Sequence, residues 1–528
     1  MKSVMTASQH FSQAPSINNI QRSVFNRDHG HKTTFDAGYL VPVLVDEVLP
    51  GDSMKLKMTS FARLSTQIVP IMDNLFCDVH FWFVPSRLVW DNWERFNGAQ
   101  DNPGDSISYL VPSLALPAGG LAVGSVGDYF GIPTGVASAG TSKINVLPFR
   151  AYNLIYNQWY RDENLQNSVT FRKTDSGDSW SDFALLRRGK RHDYFTSALP
   201  NPQKGSSAVT LPLGTIAPVK SDSTQIQVRN LGNPALDRGV YVAGVNPALV
   251  TDGGTPAGAT TAIFGTNTGL YADLSTATAA TINSIRTAVT IQQLLERDAR
   301  GGTRYTEILL SHFGVVSPDF RLQRPEFLGG GSTRVGITPV AQTNATGATG
   351  TPQANLASFG TFSHDGVGFS KSFVEHGYII GLISVRADLN YQQGLNKMWS
   401  RSTRYDFYWP TFAHLGEQAI LNREIYMQDT SADSNVFGYQ ERYAEYRYKP
   451  SMVTGKFRSS AAGTLEVYHL AQNFGSLPAL NSAFIQDTPP MSRIKAVVTQ
   501  PDFLLDTYFE YRCARPMPVY AVPGLRSL

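Results

Sequence analysis

The sequence is poor in charged residues. Only 16% of its 528 residues are Asp, Glu, Lys or Arg, against about 25% in an ordinary soluble protein. The 45 basic and 42 acidic side chains leave a net charge of +3, which is too small for a protein that wraps nucleic acid by its overall charge. Any contact with nucleic acid must therefore be local. Because the surface has few charges, we expect partners to cover much of it.

Cysteine is also scarce. Cys77 and Cys513 are the only two, which excludes a disulfide framework and a zinc site built without histidines. Both lie in apolar, strand-like segments, so we predict two buried free thiols. No apolar run approaches the roughly 18 residues of a membrane span, and the N-terminus lacks the pattern of a signal peptide. We therefore predict a chain that is cytoplasmic at synthesis and has no membrane insertion.

The short motifs of common enzymes are missing. The sequence has no HExxH, GxxxxGK[ST], GxSxG or strand-linked GxGxxG, and Phe457 follows Gly455-Lys456 where a phosphate-binding loop requires a hydroxyl. The Asp- and His-bearing residues 28–31, and the aspartates of 175–182, lack the supporting residues of a metal site. We predict a protein that is not an enzyme and has no catalytic residue, cofactor or metal.

What the sequence does contain is an unusually apolar stretch at residues 75–84. In an extended chain, successive side chains point to opposite faces, and here both faces are apolar, interrupted only by Asp78 and His80. The predicted core face carries Leu75, Cys77, Val79, Phe81 and Phe83, and the opposite face carries Phe76, Trp82 and Val84. This pattern predicts a strand that is buried on both sides and needs a second layer of sheet above it.

Further strands are predicted towards both ends of the chain, with helices between them. Strand patterns occupy residues 39–45, 54–61, 378–385, 465–470, 493–498 and 507–512, and helical patterns occupy 87–96, 147–164, 285–300 and 303–314. Pro85 is expected to end the pairing of the apolar strand, Ser86 to cap the helix after it and Gly98 to end that helix. Because strands and helices do not alternate, the predicted fold class is mainly β: a single antiparallel jelly roll, that is, a double-sheet β-barrel, with long loop insertions containing several helices.

Composition divides the chain into three parts. Residues 1–38 form a polar N-terminal arm, which is expected to lie along another surface. Residues 39–205 and 282–528 make up the jelly-roll core with its helical and loop insertions. Residues 206–281, rich in Gly, Ala, Thr, Ser and Asn, are too long for an ordinary connection and too polar for a core. We predict that they form a surface protrusion, and that a second glycine-rich stretch at 329–360 is mobile.

Two basic clusters are candidate contact sites. The first contains Arg187, Arg188, Lys190 and Arg191, followed by Tyr194 and Phe195; the second alternates Arg442, Arg447 and Lys449 with three tyrosines. Lys and Arg neutralise phosphates, and aromatic rings stack on unpaired bases. Both clusters are therefore candidates for DNA contact. A subunit interface, in which the cations pair with acidic groups, is the alternative and is slightly favoured.

Seven segments of the sequence are similar to one known family. They are RSVFNRDHGHKTTFDAGYLVPVLVDEVLPGD (22–52), PIMDNLFCDVHFWFVPSRLVWDNWERFNG (70–98), LPFRAYNLIYNQWYRDENLQNS (147–168), RGKRHDYFTSALPNPQKG (188–205), GGTRYTEILLSHFGV (301–315), FRLQRPEFLGGG (320–331) and FGYQERYAEYRYKPSMVTGKFR (437–458). They resemble, in the family's order, the major capsid proteins of microviruses, particularly the gokushovirus branch. The resemblance covers nearly the whole chain and fails in residues 206–281.

The resemblance implies a single-jelly-roll subunit of a small, non-enveloped bacteriophage with a T=1 icosahedral shell and a circular single-stranded DNA genome. The implied partners are identical copies that assemble through pentamers into the shell, an internal scaffolding protein, a small basic DNA-packaging protein, a pilot protein, the single-stranded DNA genome and a host surface receptor. Residues 206–281 match by position a three-fold protrusion that contacts the host. The protein is then expected in the virion, after assembly in the host bacterial cytoplasm.

One other class of protein stays open at this point. A jelly-roll module that binds a receptor or a carbohydrate, such as a phage spike, would carry its function in residues 206–281 alone. A coat protein needs residues 1–32 and 515–528 tied to neighbouring copies, whereas a lone binding module can lose both segments and still fold.

Overall fold

The computed structural model describes residues 22–136, 142–205, 209, 282–302, 304–316, 323–344, 350 and 353–520, together with short strands between 219 and 272. The chain divides into two compact units. One contains Met1–Pro202 and Gly301–Leu528, and the other is Gln203–Arg300.

The secondary structure is mainly β and follows the chain in three stages. The first stage has strands β1 (Ser23–Asn26), β2 (His29–Phe35), β3 (Val41–Val48), β4 (Ser53–Leu64), β5 (Leu75–Pro85), β6 (Ser113–Ala115) and β7 (Lys143–Asn145), with helices α1 (Ser86–Val89), α2 (Trp93–Phe96), α3 (Val126–Tyr129) and α4 (Leu147–Ile155), which continues as a π-helical turn over Tyr156–Tyr160. The second stage has β8 (Val219–Ser221), β9 (Gln227–Asn230), β10 (Asn233–Ala243), β11 (Ala248–Thr251), β12 (Ala262–Phe264), β13 (Leu270–Ala272) and α5 (Ile282–Gly301). The third has α6 (Tyr305–Phe313), β14 (Glu326–Arg334), β15 (Gly336–Ala341), β16 (Leu356–Ser372), β17 (Gly377–Ala387), β18 (Asn390–Tyr391), β19 (Glu417–Leu421), α7 (Asn422–Ile425), β20 (Val436–Glu441), β21 (Ser451–Met452), α8 (Ser482–Ile485) and β22 (Phe503–Arg515).

Two antiparallel sheets form the body of the first unit. One runs β1–β22–β4–β16–β15, with β2 also paired to β22, and the other runs β14–β5–β17–β3. Most neighbours in these sheets are far apart in the chain, as where β22 pairs with β4 along its length, whereas β15 and β16 are close in sequence. Long-range antiparallel pairing of this kind joins the strands into a jelly roll with insertions. The predicted fold class is confirmed.

The core lies between the two sheets and follows the two-residue period of a strand. In β4 and β22 alternate side chains are buried, so that one face of that sheet packs inward and the other is exposed. β5 is buried on both faces: Phe81 and Phe83 enter the core between the sheets, and Trp82 and Val84 enter a second apolar cluster. Cys77 and Cys513 lie in the core as buried free thiols, which confirms that prediction.

The second apolar cluster is built around α4, which covers the outer face of β5 and β17. Tyr152 on this helix donates its hydroxyl hydrogen to the Leu40 carbonyl oxygen at 2.9 Å. The π-helical turn that follows places the Tyr160 hydroxyl 3.1 Å from Trp82 Nε1, which donates to it. The helix predicted at 147–164 therefore exists, but its second half winds more widely and stops at Tyr160.

Two predicted strands and one predicted helix are wrong. Residues 465–470 contain the 3-10 turn Glu466–Tyr468, and residues 493–498 begin at the end of a second turn, Met491–Arg493. Neither segment lies in a strand: Lys495 makes only an isolated bridge with Gln67, and Val497 and Val498 are about half exposed instead of packing on the face of a sheet. The helix expected over 87–96 is two separate turns, α1 and α2. Ser86 does not cap the first of these turns, because the N-cap residue is Pro85. Pro85 also still lies opposite Gly377 in the sheet.

The segments predicted as a polar arm and as a mobile glycine-rich stretch both contain strands where the structure describes them. Residues 23–35 of the arm pair with β22 of the same chain rather than with another surface, because β22 would otherwise be an unpaired edge. Residues 1–21 lie outside the described part. The stretch at 329–360 is largely β14, β15 and the start of β16. Its glycines serve close packing: a Cβ on Gly330 would lie 2.4 Å from the Val79 carbonyl oxygen.

Candidate nucleic-acid interface

The first basic cluster lies against the body of its own chain. The Arg188 guanidinium donates to Asp78 on β5 and to Ser384 on β17, both at 2.6 Å. Lys190 is only 6% exposed, and its ammonium nitrogen lies 4.4 Å from the centre of the Phe484 ring. Burial lowers the pKa of Lys190 to about 8. These two cations are therefore groups of the protein interior.

The other two cations of the first cluster stack on aromatic rings. Arg187 lies 3.9 Å above the Tyr39 ring and donates to the Tyr39 hydroxyl at 2.8 Å. Arg191 lies 4.0 Å above the Phe76 ring and 3.6 Å from Asp388. Tyr194 and Phe195, which follow in sequence, are buried and not available to stack on bases. The cluster thus ties the segment after α4 to the barrel.

Asp78 is the centre of this arrangement. Its carboxylate accepts hydrogen bonds from Arg188 at 2.6 Å and from Arg386 on β17 at 2.8 Å, and all three side chains are at least 85% buried. Burial raises the pKa of Asp78, but Arg188, a Ser332 hydrogen bond and Arg386 together outweigh it and hold that pKa below its usual value. The sequence showed Asp78 only as a polar break in an apolar strand, and nothing in it pointed to Arg386.

The second basic cluster is on the surface. Arg442 lies 4.9 Å from the centre of the Tyr443 ring, Arg447 pairs with Glu441 at 2.5 Å, and Lys449 is exposed. Tyr446 and Tyr448, which alternate with these cations, are about half exposed. Unlike the first cluster, this one presents both charge and rings to its surroundings.

A run of aromatic residues that the sequence reasoning missed lies beside the second cluster. Tyr408 packs on Tyr443, with ring centroids 5.1 Å apart, and on Tyr446 at 6.3 Å. We name as the aromatic surface the seven exposed rings of this region: Trp399, Tyr405, Phe407, Tyr408, Trp409, Tyr446 and Tyr448. The signal for it was present as RYDFYWPTF at 404–412, where five of nine residues are aromatic.

Cations are interleaved with these rings. Arg404 lies 5.2 Å from the Trp409 ring and Arg401 lies 4.2 Å from the Tyr446 ring. Arg401 is neutralised by Glu445 at 3.0 Å. Arg404, Arg442 and Lys449, by contrast, have no ion pair to any residue that the structure describes. The aromatic surface therefore carries unneutralised positive charge beside exposed rings, which is the chemistry that binds unpaired nucleic acid.

Two of the aspartates within residues 175–182 bind other side chains of the fold. Asp175 accepts a hydrogen bond from Trp90 Nε1 at 2.6 Å, and Asp178 pairs with buried Arg150 at 2.5 Å. No group of three or more His, Cys, Asp or Glu side chains in the described ranges is placed to hold a metal ion. Among the helices that the structure describes, none has the length and apolar character of a membrane span.

The fold defines a jelly-roll protein with long insertions, and its surface carries exposed rings beside the second basic cluster. Comparison with known proteins identifies the family to which the chain belongs. The family model described as "Capsid protein (F protein)" matches residues 12–525, so the chain belongs to this capsid protein family. It is a structural protein of the virion and not an enzyme.

Three relatives match over nearly their whole length. Capsid protein VP1 of Bdellovibrio phage phiMH2K is 52% identical over 98% of both chains, and Capsid protein VP1 of Chlamydia phage 1 is 45% identical, also over 98% of both. Capsid protein VP1 of Spiroplasma virus 4 is 38% identical over 97% of this chain and 96% of its own. These matches confirm the resemblance to microvirus capsid proteins.

Proposed function

We propose that copies of this capsid protein assemble through pentamers into a small icosahedral shell around a single-stranded DNA genome. An internal scaffolding protein, a small basic DNA-packaging protein and a pilot protein are the proposed assembly partners. The observation that carries the proposal is the full-length match to capsid proteins named VP1. Electron microscopy of the purified protein, alone and with scaffold, tests it: closed particles support the proposal, and monomers under every condition contradict it.

Within this shell, we propose that the second basic cluster and the aromatic surface contact the genome. Support comes from the three cations without ion pairs and from rings that are 42% to 70% exposed. Phosphates bind the cations, and unpaired bases stack on the rings. The competing assignment is a subunit interface, because Arg, Tyr and Trp are also enriched where proteins meet. Charge reversal of Arg442 and Lys449 distinguishes DNA contact from a subunit interface.

Reversing the charge of Arg442 and Lys449 should block genome packaging without blocking assembly. In the double variant R442E/K449E, two phosphate-binding cations become repulsive, so we expect empty particles at wild-type yield and DNA-filled particles reduced at least roughly tenfold. Sucrose-gradient sedimentation with absorbance at 260 and 280 nm measures both. The matched control is K143E/R334E, which makes the same charge change at exposed residues elsewhere. Failure of the R442E/K449E shells to form would instead assign the cluster to a subunit interface.

We propose that residues 206–281 form a protrusion that contacts a host surface receptor. These residues fall within the second compact unit, Gln203–Arg300. Replacing them with a short Gly/Ser linker should leave shells assembling, because loop-closure free energy changes by only about 0.6 kcal/mol for each doubling of length.

The same deletion should reduce attachment to host cells severalfold or more, since the contacting surface is removed. Electron microscopy checks the shells, and a cell-adsorption assay checks attachment. Absence of shells would contradict a peripheral role for the segment. Unchanged adsorption would contradict its role in attachment.

A further inference from the structure

A cavity of about 230 Å³ lies in the first unit, next to the aromatic surface. Its inner wall contains Tyr194, Phe195 and Tyr391, which are all buried, and its lining also includes exposed Trp399, Tyr448 and Met452. The cavity therefore joins the surface where two rings of the aromatic surface stand.

We propose that this cavity holds one unpaired nucleobase of single-stranded DNA. The inference rests on the proposed DNA contact of the neighbouring surface and deepens it, because it names the part of the nucleic acid that is recognised.

The inner wall is held rigidly before any ligand binds. The Tyr194 hydroxyl donates to Glu424 at 2.9 Å, and the Tyr391 hydroxyl donates to Asp193 at 2.7 Å. Phe195 packs edge-on against Tyr391 with ring centroids 4.8 Å apart. A preformed aromatic wall can stack on a base without losing side-chain entropy on binding.

Polar groups in the lining suit the edge of a base. Asn396 uses its side-chain oxygen to accept from the Met398 N–H at 3.0 Å, which leaves its amide Nδ2 as a donor. Tyr448 contributes a hydroxyl and Ser451 another. Base edges present carbonyl oxygens and ring nitrogens as acceptors, so these donors match a base better than an aliphatic ligand.

The charges of the lining favour a neutral ring over a cation. Glu424 is bound by Tyr194 and lies 3.6 Å from Lys397, and Glu445 is paired with Arg401 at 3.0 Å. Burial raises the pKa of Glu424. Arg458 also lines the cavity, and Lys449 follows Tyr448 in sequence. Arg458 therefore places a positive charge at the cavity, which favours a base that is flanked by phosphates.

The test compares two strands that differ only in their bases. Full-length protein is titrated with a fluorescent mixed-sequence single-stranded oligonucleotide, and with an abasic strand of equal length and charge, at one fixed salt concentration. We expect the wild type to bind the natural strand about tenfold more tightly. Trp399→Ala and Tyr448→Ala should each remove most of this preference by weakening the binding of the natural strand. Trp399→Phe should keep it.

Trp399 and Tyr448 are exposed, so their alanine variants are expected to fold, which circular dichroism checks. Tyr305→Ala, an exposed tyrosine outside the cavity, is the matched control and should bind both strands like the wild type. Equal wild-type affinity for the two strands would overturn the base site and the stacking of bases on the aromatic surface, while phosphate contact by the cations of the second basic cluster would survive. Binding of neither strand would overturn both. An oligo-arginine peptide that binds and loses affinity in Trp399→Ala would reassign the cavity to a protein side chain.

Discussion

Phe81→Asp should abolish soluble protein. Phe81 is fully buried on β5 between the two sheets, where its ring lies 5.7 Å from that of Phe369. Replacing it removes a large apolar side chain, which costs about 3–5 kcal/mol, and leaves an unpaired carboxylate in the core at a cost of several kcal/mol more. The sum approaches the whole free energy of unfolding of a typical domain, about 5–15 kcal/mol.

A control on the neighbouring sheet isolates the effect of burial. Phe61 lies on β4, but its side chain is 56% exposed on the outer face. Phe61→Asp makes the same chemical change without burying a charge, so its soluble yield should stay near that of the wild type. The yields are compared by densitometry of the soluble fraction after expression. Soluble Phe81→Asp protein that assembles normally would contradict the two-sided burial of β5.

Asp78→Ala should lower the free energy of unfolding by about 3–5 kcal/mol, because it leaves the guanidinium groups of Arg188 and Arg386 buried without their carboxylate. Urea denaturation of unassembled subunits, followed by tryptophan fluorescence, measures the change. Asp506→Ala is the control. It removes a carboxylate whose pair with Lys32 is largely exposed, so it should cost at most about 1 kcal/mol.

The cost of Asp78→Ala should also depend on pH. The folded-state pKa of Asp78 lies below its ordinary value of 3.8. Its contribution is therefore fully present above the unfolded-state pKa and is lost as the pH falls through the folded-state pKa. The difference between wild type and variant should be constant from about pH 5 to 7 and should shrink below about pH 4. A difference that grows in acid would contradict the ion-pair assignment.

The two basic clusters look alike in sequence but differ in the structure. The cations of the first cluster are held by Asp78, Tyr39, Phe76 and the ring of Phe484, so their main contribution is to the stability of the subunit. The second cluster keeps cations without ion pairs beside exposed rings. A mutation in the first cluster should therefore act through folding, and one in the second through binding.

The spacing of apolar residues along the sequence was sufficient to predict much of the fold. The two-sided β5, the alternation in β4 and β22, and the helices α4 to α6 all follow from the spacing of apolar side chains, which sequence displays directly. Prediction from apolar spacing failed at residues 465–470 and 493–498, where the spacing resembles that of a strand but no partner strand is present. It also misread the glycines at 329–331 as a sign of mobility, although they let β14 approach β5 and β16 closely.

The sequence by itself determined that this chain builds a mainly β subunit of the capsid family, because hydrophobic periodicity and long family segments are properties of consecutive residues. Only the tertiary structure decided which charges are buried and which are free. Asp78 and Arg386 are 308 residues apart, and Tyr408 and Tyr443 meet only after the chain has folded. A side chain's ion-pair partner and exposure depend on distant segments brought together by the sheets, and spacing along the chain does not encode that proximity.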